Sequence, residues 1–565
     1  MTARRCLILL IVAAACQPKG DTATDSTVGT PGESLQSVAI VGIDTATLMR
    51  HIRVLAADSL MGRAPGSAGE EKTVAYLESQ FKALGLEPGN TDGTYIQKVP
   101  LVGITVKGTP TLTFTKGSTT RALKWRDDYV AWTKHVAADA TLDKSELVFV
   151  GYGTEAPEFT WDDYKGMDVA GKTLVMLVND PPLADTSQFG GARMTYYGRW
   201  TYKYEQGMRH KAAGVLLVHE TTPAGYPFTV VQGKTSEQFD LVTPDKNMGR
   251  SSVEGWITLD QAKALFTMAG HNLDSLKARA STREFRPVPL GVTASITLRN
   301  TLRTVDSRNV VARLEGSDAA LKDEYIVYTA HWDHFGIGTK VKGDSIYNGA
   351  ADNASGTAGL LALGKAFVAM GPRPRRSILF LAVTAEEQGL LGSAYYSVVP
   401  IYPLARTLAN INIDVLNTWG PTKDITVIGL GASELDDYVR EAAAAQGRIL
   451  RPDAEPEKGF YYRSDHFNFA KQGVPAFFPE PGVDYLGKPA EFGRQTREQY
   501  TANDYHSPQD EIKPDWDLGG AVQDLQLFLT MGLRVANAAK FPEWRAGNEF
   551  RAIREKQLGK PAPRN

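Results

Sequence analysis

Short apolar runs alternate with amphipathic stretches along the second half of the chain. Runs such as NVVARL, EYIVYTA, RSILFLAV and NINI are bounded by turn residues and predict buried strands. Residues 354–371 and 519–539 space their apolar positions as helices do, and Ser355 is the expected N-cap of the first of them. This alternation predicts an α/β layered sheet with helices on both faces. In such sheets ligands gather at the carboxyl ends of the strands.

The first half of the chain has a different pattern. Residues 44–86 carry helical spacing. Residues 146–153, 172–180 and 215–220 predict strands, and a helix is expected over 199–214. From about 140 to 290 no His, Cys or acidic residues cluster at ligand spacing. We interpret this region as a separate α/β-type module for shaping the site or for binding, with a spacer packed against its neighbour as the alternative.

The N-terminus carries a secretion pattern. Two arginines in MTARR precede the apolar run CLILLIVAAA, which is too short to span a membrane and ends in small residues before Cys16. This resembles a bacterial lipobox, although leucine is usual where Ala13 stands. The chain has two cysteines, Cys6 and Cys16, so cleavage before Cys16 leaves one cysteine for lipid attachment. Ordinary signal cleavage after a nearby alanine is the alternative. Residues 17–44 are polar and predict a flexible linker.

The amino-acid composition indicates a globular protein of several domains but does not indicate its activity. A length of 565 residues predicts two or three domains, and 42% hydrophobic with 22% charged residues is typical of a globular protein. A formal net charge of −2 gives no reason to expect nucleic acid as a partner.

Polar residues follow several of the predicted strands at the point where each strand ends. EYIVYTA leads into His331, RSILFLAV into Glu386 and Glu387, and NINI into Asp414, while Asp352 lies in the loop GAADNASG. Carboxylates that converge at one sheet edge repel one another unless a cation balances them. Imidazole and carboxylate ligands without cysteine suit Zn²⁺ or a similar divalent metal. Two ions would need a shared carboxylate, and Asp352 qualifies because small neighbours leave room on both sides.

The remaining roles stay open on spacing alone. One of Glu386 and Glu387 can ligate while the other acts as general base, with Glu386 the preferred base. Asp333 could orient His331 by accepting its second N–H. His466 and His506 both qualify as a further ligand.

The ordered motifs AHWD (330–333), GAADNASG (349–356), TAEEQGLLGS (384–393), NID (412–414), SDHFNF (464–469) and DYHSPQDE (504–511) resemble the M28 family of dizinc peptidases. The resemblance is to bacterial aminopeptidases with an inserted protease-associated domain, and residues 55–77, 151–182 and 194–220 extend it. It implies a mixed-sheet three-layer zinc-exopeptidase domain of the α/β class with that insertion.

The resemblance also implies roles for individual residues. His331 and Asp414 complete one metal site and Glu387 and His506 the other, with Asp352 bridging. The implied catalytic and pocket residues are Glu386 as base, Asp333 behind His331, Tyr505 as a donor to the oxyanion, and Asp465 and His466 around the metals or lining the pocket. Two Zn²⁺ ions are the implied cofactors, although other divalent metals could occupy such ligands.

The implied activity is removal of N-terminal residues from peptides. A dizinc carboxypeptidase of the glutamate carboxypeptidase type is the alternative, with cationic pocket groups among Arg463, Arg494 and Arg497. A one-zinc glutaminyl-cyclase-like transferase is disfavoured by the complete ligand set, as is a non-catalytic surface binding protein. Expected partners are peptides, with membrane contact through a lipid on Cys16; the sequence does not define the oligomeric state.

The predicted organisation follows from these patterns. It comprises a signal peptide (1–15), a lipoprotein linker (16–44), two catalytic portions (45–134 and 301–545), a protease-associated-like insertion (135–300) and a C-terminal tail (546–565). The expected location is the cell envelope after export.

Overall fold

The computed structural model describes residues 43–183, 185, 188–232 and 237–559. Its α-helices are Thr45–Leu55, Ala68–Ala83, Trp200–Arg209, Thr221–Ala224, Phe228–Gln232, Leu259–Ala269, Leu273–Ala280, Gly356–Ala369, Leu391–Val398, Leu435–Ala445, His466–Lys471, Phe492–Asn503, Gly519–Asn537 and Arg551–Gln557. Its strands are Glu87–Pro88, Ile96–Val106, Thr113–Lys116, Thr119–Ala122, Tyr129–Trp132, Asp139–Phe149, Glu155–Ala156, Trp161–Asp162, Thr173–Leu177, Gly214–His219, Gln238–Leu241, Val253–Thr258, Val288–Leu314, Tyr325–His331, Gly336–Val341, Asp344–Tyr347, Ser377–Val383, Thr407–Asn412, Asp424–Ile428, Ile449–Pro452 and Ala476–Glu480.

Four parallel strands form the centre of the main sheet. Tyr325–His331 lies between Ser377–Val383 and Thr407–Asn412, and Ala476–Glu480 continues the parallel set beyond Thr407–Asn412. Val288–Leu314 joins antiparallel on the side of Ser377–Val383, which makes the sheet mixed. All four parallel strands have their carboxyl ends at the same edge, where ligand sites form in such sheets.

Side chains of the central strand alternate between two cores. Ile326, Tyr328 and Ala330 belong to the core under Gly356–Ala369 and Gly519–Asn537, whereas Tyr325 and Val327 belong to a core that also contains Tyr396 and Phe469 from helices on the other face. Successive residues of a strand point to opposite faces, so a sheet buried on both sides needs apolar residues at every position. The three-layer mixed α/β fold predicted from the sequence is therefore confirmed.

A second sheet is built from residues that precede position 300. It contains Thr113–Lys116, Tyr129–Trp132, Asp139–Phe149, Thr173–Leu177, Gly214–His219 and Val253–Thr258, with hydrophobic cores of its own. The long strand Val288–Leu314 pairs with Asp139–Phe149 through its first half and with Ile96–Val106 through its second half. One strand thus belongs to both sheets.

The structure differs from the sequence-based description at three places. Residues 113–132, which were grouped with the catalytic portion, form strands of the second sheet, because Tyr129–Trp132 pairs with Val253–Thr258. The predicted C-terminal tail contains the helix Arg551–Gln557, and its Arg554 donates to the carbonyls of Leu404 and Thr407. The helix pair Leu259–Ala269 and Leu273–Ala280 was not predicted. The identity of the second sheet as a protease-associated domain stays a prediction.

The signal peptide and nearly all of the predicted linker lie outside the described residues. Among the helices that the structure does describe, none combines the length and apolar character needed to cross a membrane.

Candidate metal centre and active site

Three neighbouring strands deliver the candidate ligands to one edge of the main sheet. His331 is the last residue of its strand and pairs in register with Val383, three residues before Glu386. Asp414 lies two residues beyond the strand Thr407–Asn412. The topology therefore brings together side chains that are far apart in sequence.

The two imidazoles face different oxygens of one carboxylate. His331 Nε2 lies 3.1 Å from Asp352 Oδ1 and 3.2 Å from Asp414 Oδ1. His506 Nε2 lies 3.3 Å from Asp352 Oδ2 and 3.2 Å from Glu387 Oε2. Asp352 thus stands between two His–carboxylate groups, one on each side. This arrangement gives a carboxylate that two cations could share.

Small residues hold the Asp352 loop in place. Gly349 has φ +54°, and a Cβ there would lie 2.2 Å from the Asp352 carbonyl oxygen and 2.6 Å from His334 Cγ. The Asp510 carboxylate accepts the backbone N–H groups of Ala351 and Asp352 at 3.0 and 2.9 Å. Asp352 is therefore fixed by its backbone, and its carboxylate oxygens are left for the imidazoles.

The predicted N-cap role of Ser355 is wrong. Its hydroxyl donates to the Ala351 carbonyl at 2.6 Å and accepts from Leu416 N at 2.9 Å, and its backbone is already helical. The Asn353 side chain accepts the N–H of Gly356 instead, at 2.9 Å. Asn353 precedes the helix by three residues, so its side-chain Oδ1 reaches the first free N–H group of the helix.

Burial and mutual repulsion act on the carboxylates of the site. Burial raises the pKa of Glu386 well above its ordinary value, and the neighbouring carboxylates of Glu387 and Asp414 raise it further. Burial alone would lower the pKa of His506, but Glu387 and Asp352 raise it to about 10. In the described part of the chain no Lys or Arg forms an ion pair with any of these carboxylates. The imidazoles of His331 and His506 face these carboxylates, and a bound divalent cation would balance the negative charge that remains.

Buried nitrogen and oxygen atoms at the site have no hydrogen-bond partner and are suitable metal ligands. His334 Nδ1 lies 2.7 Å from Glu387 Oε1, yet neither atom makes a hydrogen bond. Three groups of side chains could each hold an ion, with ligand atoms within 4.8 Å of one another: His331 with Asp352 and Asp414, His331 with Glu386 and Glu387, and His334 with Asp352 and Glu387. Imidazole nitrogens and carboxylate oxygens are ligands that Zn²⁺ binds. The residues present therefore fit a divalent metal.

Asp333 contacts both His331 and Glu386. His331 Nδ1 lies 3.1 Å from the Asp333 backbone carbonyl and 3.8 Å from its carboxylate. The carboxylate Oδ1 instead accepts the Glu386 N–H at 3.0 Å. The orienting contact expected from the Asp333 side chain is thus made by its main chain, while its carboxylate positions the Glu386 backbone.

The other predicted residues lie at different distances from this centre. Tyr505 stacks on His506 with ring centroids 3.7 Å apart. Asp465 accepts from the Ser393 hydroxyl at 2.5 Å, and Ser464 donates to Asp414 Oδ2 at 2.7 Å. His466 instead stacks on Phe478, 4.5 Å away. The structure thus brings His506 to the shared carboxylate and leaves His466 in an aromatic setting.

The sequence analysis assigned no role to two residues of the site, Arg63 and His334. Buried Arg63 donates to the carbonyls of Trp332 and Gly349 at 2.8 and 3.0 Å, so one guanidinium holds the loops of both His331 and Asp352. His334 directly follows Asp333 in HWDH, and that adjacency was a usable signal. Arg63 lies in the quoted segment 55–77, but nothing in its spacing reveals its partners.

Comparisons with known proteins place the site within a matched segment. The mouse (Mus musculus) Aminopeptidase NAALADL1 is 34% identical over 132 residues, which is 22% of this chain and 16% of that protein. The Arabidopsis thaliana Probable glutamate carboxypeptidase AMP1 is 24% identical over 401 residues, covering 67% of this chain and 52% of that protein. The chain thus matches well under two thirds of the length of either relative.

A solved structure and a family model complete the comparison. The aminopeptidase from Aneurinibacillus sp. strain AM-1 aligns with a TM-score of 0.48 at 19% identity, covering 88% of this chain and 95% of that one. The model of Peptidase family M28 matches residues 309–530, a range that contains all the candidate metal ligands. The segment 309–530 of this chain is therefore similar to Peptidase family M28.

Proposed function

We propose that the protein is a metal-dependent aminopeptidase. The observation that carries the proposal is the position of Asp352 between His331 and His506, with Asp414 and Glu387 completing the two groups. We propose two Zn²⁺ ions there, with His331 and Asp414 holding one, Glu387 and His506 the other, and Asp352 both. Bound ions would polarise the scissile carbonyl and lower the pKa of the attacking water.

The side chains around the ligands supply the proton transfers. Glu386 is buried, makes no ion pair with a described residue, and has a raised pKa, which suits a carboxylate that takes a proton from water and returns it to the leaving amine. Tyr505 stacks on His506, and its phenol, like that of an ordinary tyrosine with a pKa of about 10, is protonated at neutral pH. It can therefore donate a hydrogen bond to the carbonyl oxygen as negative charge develops there.

Two of the three arginines considered for the carboxypeptidase alternative are already neutralised. Arg494 pairs with Glu491 and Glu498 on the exposed helix Phe492–Asn503. Arg497 pairs with Glu480 at 2.6 Å. Both arginines therefore have carboxylate partners within the chain, which gives no support to that alternative.

The test is hydrolysis of aminoacyl p-nitroanilides by the protein from residue 17 onward. We expect cleavage that a chelator abolishes and added Zn²⁺ restores, with about two metal ions per chain by elemental analysis. Cleavage that survives complete metal removal would refute the proposal. Cleavage of N-blocked peptides from the C-terminus, without anilide cleavage, would replace it with the carboxypeptidase activity.

We further propose export and lipid attachment at Cys16, on the basis of the N-terminal pattern alone. The full chain expressed in a bacterium should partition with membranes, and Cys16→Ser should release it. Membrane partition of Cys16→Ser equal to that of the original protein would refute the attachment.

A further inference from the structure

Two fully buried histidines make no hydrogen bond through either ring nitrogen. His334 and His466 are each 0% exposed, and in both rings Nδ1 and Nε2 have no partner among the described residues. His466 lies among aromatic rings, edge-on to Tyr461 and stacked on Phe478. His334 instead faces a carboxylate, because its Nδ1 lies 2.7 Å from Glu387 Oε1. A buried polar atom without a partner costs free energy, so the ring nitrogens of His334 call for a ligand.

The Glu387 carboxylate has an imidazole at each of its oxygens. Its Oε1 lies 2.7 Å from His334 Nδ1, and its Oε2 lies 3.2 Å from His506 Nε2. Oε1 makes no hydrogen bond, although it is buried. Asp352 completes a group of three, since ligand atoms of His334, Asp352 and Glu387 lie within 4.8 Å of one another. His506 Nε2 also lies 3.3 Å from Asp352 Oδ2, so two imidazoles and two carboxylates converge beside Glu387.

The surrounding backbone holds the His334 ring in this position. A Cβ on Gly349 would lie 2.6 Å from His334 Cγ and 2.7 Å from its Cδ2, so a larger residue at position 349 would displace the ring. Arg63 donates to a carbonyl on each side of His334 in the sequence, that of Trp332 at 2.8 Å and that of Gly349 at 3.0 Å. The ring is therefore fixed by the fold itself, and this pre-organisation is what a metal ligand requires.

The segment that contains His334 also supplies the first candidate ligand. His331 is the last residue of its strand, and its Nε2 lies 3.2 Å from Asp414 Oδ1. His334 follows three residues later, beyond the strand, and faces Glu387 instead. The two histidines of one short segment thus belong to the two different sides of the shared carboxylate of Asp352. The exposed His506 comes to the Glu387 side from a distant part of the chain.

We propose that His334 is a further metal ligand, which binds the same ion as Glu387 and His506. The inference rests on the proposed metal-dependent function and deepens it, because it gives this ion two imidazoles and the ion beside Asp414 only one. Zn²⁺ binds imidazole nitrogen and carboxylate oxygen and can expand from four ligands to five. The two sides would then differ in metal preference, since imidazole favours Zn²⁺ whereas carboxylate oxygen also suits Mn²⁺.

The metal affinity of His334→Asn is the first test. Metal-free protein from residue 17 onward is titrated with Zn²⁺ in competition with a chelating dye, which gives an affinity for each ion without any assay of activity. We expect His334→Asn to bind one ion at least about tenfold more weakly than the original protein does. His466→Asn, which replaces the other buried histidine without hydrogen bonds, is the matched control and should keep both affinities.

His334→Cys tests direct ligation by spectroscopy. Both cysteines of the chain, Cys6 and Cys16, precede residue 17, so the tested protein has no other thiol. A thiolate at position 334 that binds Co²⁺ gives a charge-transfer absorption band in the near ultraviolet, which the original Co²⁺ protein lacks. Nδ1 is the ring nitrogen nearer to the backbone, so a cysteine sulfur reaches almost the same point. His466→Cys, loaded with Co²⁺ in the same way, should show no such band.

Either measurement can overturn the assignment. His334→Asn that binds both Zn²⁺ ions as tightly as His466→Asn does would show that His334 is not a ligand. Weaker Zn²⁺ binding by His334→Asn together with a His334→Cys protein that lacks the band would also overturn it, because His334 would then act only through Glu387. The proposed function fails differently, since the original protein itself would then bind no Zn²⁺ or would cleave aminoacyl anilides after complete metal removal.

Discussion

The Tyr505 ring stacks on the His506 imidazole at a centroid distance of 3.7 Å with 23° between the ring planes, and Tyr505 is 43% exposed. One face of the ring supports a candidate metal ligand, while the phenol edge is open to an incoming peptide. The stacking depends on the ring and the proposed hydrogen bond depends on the hydroxyl, so the two roles can be separated by one substitution.

Tyr505→Phe should therefore lower kcat while leaving metal content intact. Loss of one donor to a developing oxyanion costs about 10²-fold in kcat with little change in KM. Steady-state kinetics with Leu p-nitroanilide measure both parameters. Tyr438→Phe, on the helix Leu435–Ala445, removes a hydroxyl far from the site and should behave as the original protein. A Tyr505→Phe variant with unchanged kcat would show that the oxyanion finds its donor elsewhere.

Glu386→Gln tests the proton carrier. The amide keeps the shape of the side chain but cannot accept a proton, so kcat should fall by about 10²–10⁴-fold. Metal content should not change, because Glu387 rather than Glu386 contacts His506. Exposed Glu498→Gln is the control. Full turnover by Glu386→Gln would assign the base to another group.

His506 and His466 offer a matched pair for locating the second metal. His506→Asn should weaken binding of one ion by at least about tenfold, because its Nε2 faces both Asp352 and Glu387. His466→Phe should retain both ions, since its ring nitrogens make no hydrogen bonds and its ring stacks on Phe478. Elemental analysis after dialysis against a weak chelator measures the difference. The reverse result would make His466 the ligand.

Much of this site could be predicted from the sequence, because its candidate ligands lie at the ends of predicted strands. His331, Glu387 and Asp414 follow apolar runs, and the small residues around Asp352 mark a crowded loop. The supporting groups could not be read in the same way. Arg63 donates to carbonyls 269 and 286 residues away, and backbone carbonyls carry no sequence signal. Only the folded topology reveals such partners.

The fold likewise contains elements that the sequence predicts and elements that it does not. Every central strand was recognisable from its apolar run, whereas the helix Phe492–Asn503 was not, because Gly493 is its one buried residue. A helix without an apolar face gives no periodic signal. The sequence also did not predict that the strand Val288–Leu314 belongs to both sheets. This property depends on its pairing with Asp139–Phe149 and Ile96–Val106, which lie far from it in the sequence.

Packing between Gly532 and Tyr328 gives a prediction about stability. A Cβ at position 532 would lie 1.7 Å from the Tyr328 hydroxyl, which donates to the Phe528 carbonyl at 2.8 Å. Gly532→Ala should therefore destabilise the fold by about 1–3 kcal/mol despite the better helix propensity of alanine. The double variant Gly532→Ala/Tyr328→Phe should recover part of that loss, because the clashing oxygen is gone. Urea unfolding of the four proteins measures the coupling, and simple additivity would contradict the clash.

The lowered pKa of buried His51 leads to a prediction about how the stability of the fold depends on pH. Burial, together with the positive charge of Arg50, lowers its pKa from 6.5 to about 4. Nδ1 lies 2.7 Å from the Tyr76 hydroxyl inside the main core. Because the folded pKa is below the unfolded one, the unfolded chain takes up a proton first as the pH falls. The stability that neutral His51 contributes is thus complete above pH 6.5 and is lost as the pH falls toward 4.

A comparison with His51→Gln isolates this contribution from the other titrating groups. Between pH 6.5 and pH 4 the original protein should lose about 2 kcal/mol more free energy of unfolding than the variant, a value below the full shift because the ring is partly screened by solvent. Above pH 7 the difference between the two proteins should be constant, since His51 is then neutral in both the folded and the unfolded states. Urea unfolding at each pH gives these values. Parallel pH profiles of the two proteins would show that His51 keeps an ordinary pKa in the folded state.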